Sequence, residues 1–153
     1  MNQAMITYRI KSASQASIFA HLQACRDYFM PPLDQTVNIK EYAAKIFKKA
    51  VTFEAWSNGI LVGLLAAYFN DQTNKIGFIT NLSVIKEFFG QGVAKKLMAK
   101  CLSYAEKKGF NKITLTVNKN NLPAISLYQK FNFSQTGVSG DSVSLELKIS
   151  KRK

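Results

Sequence analysis

The chain has 153 residues, 47% of them apolar and 20% charged, which is ordinary for a globular protein with one sizeable core. The longest apolar run, residues 60–69, is half of the roughly 20 residues that a membrane span needs, and it contains Gly63. Two cysteines without a Cys-x-x-Cys pair and a single histidine, His21, argue against a structural zinc site, so no metal is expected.

The formal charge of +12 favours an anionic partner: a nucleotide-like cofactor, a nucleic acid or an acidic substrate. The charge is mostly lysine, with only Arg9, Arg26 and Arg152 as arginines, so a solvated lysine surface is an equal reading. No basic-then-apolar leader opens the chain, and Cys25 and Cys101 read as buried thiols. A cytoplasmic location without membrane association is expected. The closing Lys151-Arg152-Lys153 reads as a frayed end.

Residues 6–10 alternate apolar and polar and predict a first strand. Ser12 or Ser14 caps a helix that runs to about Phe29, before Pro31-Pro32 breaks the chain. Asn38 caps a second helix with Tyr42, Ile46 and Phe47 on its inner face and lysines outside. Residues 51–57 and 60–70 are strand-like runs joined by Asn58-Gly59, a pair suited to the positive φ angles of a tight hairpin turn. A third strand over residues 75–85 completes a meander. A long helix over residues 92–108 then places Val93, Leu97, Cys101, Leu102 and Ala105 on one face, with Gly109 at its end. Ile113, Leu115 and Val117 mark the next strand, Pro123 the start of a last helix, and residues 133–138 and 143–149 a closing hairpin. The final strand is free to pair with a second copy, which would give a homodimer.

The stretch that carries chemistry is the start of the long helix. Gly90 and Gly92 bracket Gln91 where loop becomes helix, and the unpaired N–H groups of a first helical turn attract phosphate. Lys95 and Lys96 add positive charge beside the same anion. No Walker-type Gly-x-x-x-x-Gly-Lys occurs, and a dinucleotide fingerprint lacks its third glycine, since Lys95 stands there.

Strand, glycine loop, helix and strand are followed by Asn121-Leu122-Pro123-Ala124-Ile125-Ser126-Leu127-Tyr128-Gln129-Lys130-Phe131-Asn132-Phe133. This order resembles the GNAT superfamily of N-acetyltransferases over residues 76–133. Phe89-Gly90-Gln91-Gly92-Val93-Ala94 is similar to that family's pyrophosphate loop, and the Asn121 string to its second motif. The resemblance implies an α/β (α+β) fold in a single N-acetyltransferase domain over residues 1–153. It also implies a mixed, mostly antiparallel sheet of about seven strands, flanked by about four helices.

It further implies acetyl-CoA as cofactor. Phe89, Gly90, Gln91, Gly92, Val93, Ala94 and Lys95 would hold the pyrophosphate, and the backbone of Leu82, Ser83 and Val84, at a β-bulge, would pair with the pantetheine arm. Asn121 would bond that arm. Tyr128 would be the general acid for the departing thiolate, its phenol a weaker acid than the thiol by roughly 1.5 pKa units. The partner would be a small-molecule amine, such as an amino sugar, sugar nucleotide or polyamine, or a protein amine.

The family's carboxylate base has no counterpart, because Asn81 stands before Leu82. Glu54 is the best placed of the acidic residues, a solvated strand position being its other reading; a water relay ordered by Asn81 and Ser83 is preferred. Phe89 replaces the family's usual Arg or Gln, with Lys86, Lys95, Lys96 and Lys100 as electrostatic compensation and Phe88-Phe89 packing beneath the loop. Two other functions fit the sequence less well: a non-catalytic acyl-CoA sensor, and a basic nucleic-acid-binding protein, for which no RNA-recognition motif is present.

Overall fold

The computed structural model describes residues 5–149, so the lysine-rich tail lies outside the described residues. The strands are β1 Thr7–Ile10, β2 Val51–Ser57, β3 Ile60–Asp71, β4 Ile76–Val84, β5 Lys112–Asn118, β6 Ser134–Ser139 and β7 Ser142–Lys148. The helices are α1 Gln15–Cys25, α2 Ile39–Lys49, α3 Val93–Lys107 and α4 Leu122–Lys130. The seven strands form one sheet in the order β1-β2-β3-β4-β5-β7-β6, parallel only between β4 and β5. This is the expected mixed α/β architecture.

β3 shows why a continuous apolar run belongs at the middle of such a sheet. Leu65 and Ala67 face α3, where Leu97, Met98, Cys101 and Ala105 are buried with Phe53 and Ile113. Leu64 and Ala66 face the other way, onto Ile18 and Leu22 of α1 and Ala43 and Ile46 of α2. Both faces are covered, so the strand has no solvent side on which to place polar residues. Gly63 lets α3 come close: a Cβ there would lie 2.7 Å from Val93 Cγ1 and 3.2 Å from Leu97 Cδ1. Gly63→Ala is expected to overpack this contact and cost about 1–3 kcal/mol, read as a lower urea midpoint.

Local signals place most boundaries. Ser14 accepts the Ser17 N–H and Asn38 the Glu41 N–H, each 3.1 or 3.0 Å away, as N-caps of α1 and α2. Asn58 and Gly59 both have positive φ in the β2–β3 turn. α1 stops at Cys25 rather than near Phe29, and a short 3-10 turn, Arg26–Tyr28, follows.

Two expectations are corrected. Phe47 is 50% exposed, because the inward stripe of α2 is Ile39, Tyr42, Ala43 and Ile46, and Phe47 lies beyond its edge. The final strand, β7, is not an edge: β5 and β6 occupy both its sides, leaving β1 and β6 at the ends of the sheet. Among the described residues no helix is long and apolar enough to cross a membrane.

Candidate active site

The parallel pair creates the opening. β4 and β5 pair only from Ile76–Lys112 to Phe78–Thr114. Beyond that β4 continues to Val84 and β5 to Asn118 without meeting. Alternate backbone groups of a strand point to each neighbour, so those of Leu82–Val84 that β5 would have taken face the gap.

The register break sits two residues earlier than the resemblance implies. Ala66 faces Asn81 and Ala67 faces Ile79, so Thr80 is the extra residue, while Leu82, Ser83 and Val84 pair regularly with Leu65, Leu64 and Gly63. The Tyr42 hydroxyl lies 2.7 Å from both the Thr80 carbonyl and its Oγ1, which takes up the polar groups at the bulge.

A cavity of about 480 Å³ fills the gap. Leu82, Ser83 and Val84 form one wall. Gly90, Gly92, Val93, Ala94 and Lys95 form another, and Asn121 and Tyr128 a third. The helix start is as the sequence predicts. Gly92 caps α3 with φ +76° and no side-chain acceptor, leaving first-turn N–H groups unpaired. A Cβ at Gly90 or Gly92 would meet nothing within 4 Å, so the loop fronts open space of the kind an anion needs.

Several predicted residues sit differently. Gln91 is not on the cavity wall; its side-chain amide donates back to the Glu87 carbonyl at 3.5 Å. Lys96 and Lys100 lie over the Tyr8 ring at 5.5 and 5.6 Å, and Lys86 is off the wall, so Lys95 and Lys130 are the lysines facing the cavity. Phe88 packs against the core, but Phe89 is 52% exposed and meets Tyr28 edge-on with centroids 5.6 Å apart. Both rings line the cavity. Asn121 Oδ1 accepts the Ala124 N–H at 3.4 Å as the α4 cap, which leaves its Nδ2 as the group to offer a ligand.

Tyr128 is 7% exposed on α4, with its ring 5.7 Å from Phe133. Burial alone pushes its phenol up to about 12. Cys25, on the same cavity, is pushed up to about 11, chiefly by burial.

Glu54 is not a base. It is fully buried, and its carboxylate accepts from the Ser12 N–H and hydroxyl, the Ala13 N–H, the Thr52 hydroxyl and the Trp56 indole. Burial raises its pKa, but these hydrogen bonds outweigh that and hold it below the usual carboxylate range. It ties the chain ahead of α1 to β2.

Sequence reading missed His21. It shares the buried face of α1 with Ile18, Leu22 and Cys25, and its Nε2 lies 2.9 Å from Ser83 Oγ at the cavity. A single histidine on the apolar stripe of a helix was the one available signal.

A sheet parted between two parallel strands, with an uncapped helix start at the mouth, defines a domain built for an extended ligand with an anionic group. The chain belongs to the acetyltransferase (GNAT) family, whose profile matches residues 18–133. It is 39% identical over 59 residues to N-acetyltransferase 8B of Homo sapiens, covering 39% of this chain and 26% of that protein. The chain spans between 26% and 51% of the length of the curated relatives it matches.

In fold it is similar to the ribosomal-protein-S18-alanine N-acetyltransferase of Escherichia coli, with TM-score 0.76, 19% identity and 97% of each chain covered. It is also similar to the PaiA N-acetyltransferase of Thermoplasma acidophilum, solved in complex with coenzyme A. There the TM-score is 0.74 at 16% identity, covering 93% of this chain and 99% of that one.

Proposed function

We propose that the protein is an acetyl-CoA-dependent N-acetyltransferase that acts on a primary amine, as one domain over the chain. The observation that carries this is the meeting of three walls at one cavity: the open edge of β4, the uncapped start of α3 and the buried phenol of Tyr128.

Acetyl-CoA, when bound, supplies an activated acetyl thioester. The N–H groups at Gly92–Lys95 fit its pyrophosphate, with Lys95 adding charge. The open edge of Leu82–Val84 fits its arm as an added strand, and Asn121 Nδ2 offers one more donor. Free backbone N–H groups of β4 are suited to stabilise negative charge that develops on the reacting carbonyl oxygen. Tyr128 holds a proton at its Oη to pass to the departing sulfur. The acceptor is a small-molecule amine, such as an amino sugar, sugar nucleotide or polyamine, or a protein amine. The two free, buried thiols fit a cytoplasmic setting.

Trp56 is bound to Glu54 and does not line the cavity, so its fluorescence is a poor reporter. Binding is better read by melting shift or calorimetry with acetyl-CoA, and turnover by thiol release across a panel of primary amines. Tyr128→Phe is expected to leave acetyl-CoA affinity unchanged and to lower kcat by about 100-fold or more. An unchanged kcat removes Tyr128 as the acid. Phe89 in place of the family's Arg or Gln, and Asn81 in place of a carboxylate, favour an acyl-CoA sensor as the second reading. Binding without turnover on any amine selects it.

A further inference from the structure

The proton that the amine must lose has no assigned destination, and the buried polar group between α1 and β4 supplies one. Ser83 Oγ lies 2.9 Å from His21 Nε2 and 3.0 Å from Asn81 Nδ2. His21 Nδ1 lies 2.8 Å from the Leu61 carbonyl oxygen, which only accepts, so Nδ1 carries the ring hydrogen. Burial pushes the imidazole down to about 4, so it is neutral near physiological pH and its Nε2 is an acceptor. The Ser83 hydroxyl hydrogen therefore points at Nε2.

Asn81 is oriented by the same logic. Its Nδ2 donates to the Leu64 carbonyl at 3.1 Å and to Ser83 Oγ. A hydroxyl has one hydrogen and two lone pairs. For Ser83 the hydrogen goes to His21 and one lone pair to Asn81, and the second lone pair lies at the cavity wall, where the Cys25 thiol is its protein neighbour. Asn81 Oδ1, two residues away on the same strand, is buried with no hydrogen-bond partner among the described residues. Both positions are acceptors. Asn81 is off the cavity wall, so Ser83 Oγ alone faces a ligand: a carboxylate or phosphate would set lone pair against lone pair there, whereas an amine N–H fills it.

We propose that Ser83 Oγ, held between His21 and Asn81, receives the substrate's primary amine and passes its proton to His21. This rests on the acetyltransferase reading and names the group that touches the acceptor. An amine N–H bond breaks as an Oγ–H bond forms, and Ser83's own hydrogen moves to Nε2. The reverse path returns the proton to water in the cavity once product leaves. Ser83 touches the substrate; His21 is a positioning residue that acts through it. Cys25 Sγ, 3.7 Å from the same Nε2, is the titratable neighbour on α1; its thiol also hydrogen-bonds the Ser83 hydroxyl, and Glu87 acts on it through charge alone.

His21 is the only histidine of the chain, so its ring nitrogens can be read without overlap by nitrogen NMR of the full protein. The Nδ1–H form with a bare Nε2 is expected from about pH 5 to about pH 9. A hydrogen on Nε2, or titration near about 6.5, overturns the relay before any substrate is added. On an amine that the wild type acetylates, Ser83→Ala is expected to lower kcat by about 100-fold with acetyl-CoA affinity retained, and Ser83→Thr to restore most of the rate. A wild-type kcat in Ser83→Ala overturns the relay and leaves the acetyltransferase reading intact. A wild type that binds acetyl-CoA but acetylates no primary amine overturns that reading, and the relay with it.

Discussion

Glu54→Ala is expected to be among the most destabilising single changes in the chain, at about 3–5 kcal/mol. The carboxylate is fully buried and accepts from Ser12, Ala13, Thr52 and Trp56. Truncation strands the buried Ala13 and Thr52 donors away from water. Glu54→Gln should be nearly as costly, since its amide nitrogen would point a donor at donors. Chemical denaturation at neutral pH checks both, and a loss below about 1 kcal/mol would show that water replaces the carboxylate.

The same group predicts a pH dependence. Its folded pKa is depressed below the unfolded value, so its contribution is present above the ordinary carboxylate pKa and is lost as pH falls through the folded value. Wild-type stability should therefore decline on acidification below about pH 4.3, and Glu54→Gln should show a shallower decline. Because Ser12 and Ala13 lead into the Ser14 cap of α1, this carboxylate also fixes the helix that carries His21.

Gly92→Val is expected to abolish measurable acetyl-CoA binding, a loss of at least about 100-fold, with only a few degrees of melting temperature lost. In the free protein a Cβ at Gly92 meets nothing within 4 Å, so packing does not oppose the change. The cost to folding is that of a β-branched residue at φ +76°, about 1–2 kcal/mol. The cost to binding is larger, because the new side chain stands at the N–H groups of the first turn of α3. Gly92→Ala should fall between the two. Calorimetry decides the matter: wild-type affinity in Gly92→Val would mean that the loop is only a turn.

The sequence by itself determined the elements whose causes are local. Asn58-Gly59 makes a hairpin because both residues tolerate positive φ, Asn38 and Ser14 cap because their side chains reach the next turn, and Gly90-x-Gly92 opens α3 because nothing else adopts that conformation cheaply. The cavity walls formed by Leu82–Val84, Gly90, Gly92–Lys95, Asn121 and Tyr128 were legible for a related reason: each lies in a short contiguous motif.

What the tertiary structure decided lies between distant segments. Glu54 reads as a solvated strand residue until Ser12 and Ala13 fold over it, some 40 positions away in sequence. Lys96 and Lys100 leave the predicted anion for the Tyr8 ring, and β7 is enclosed because β6 returns to its outer edge. His21 meets Ser83 across 62 residues. Hydrogen-bond partners and burial are properties of the packed chain, and they alone decide whether a polar side chain is a solvated surface group, a structural tie or a proton carrier.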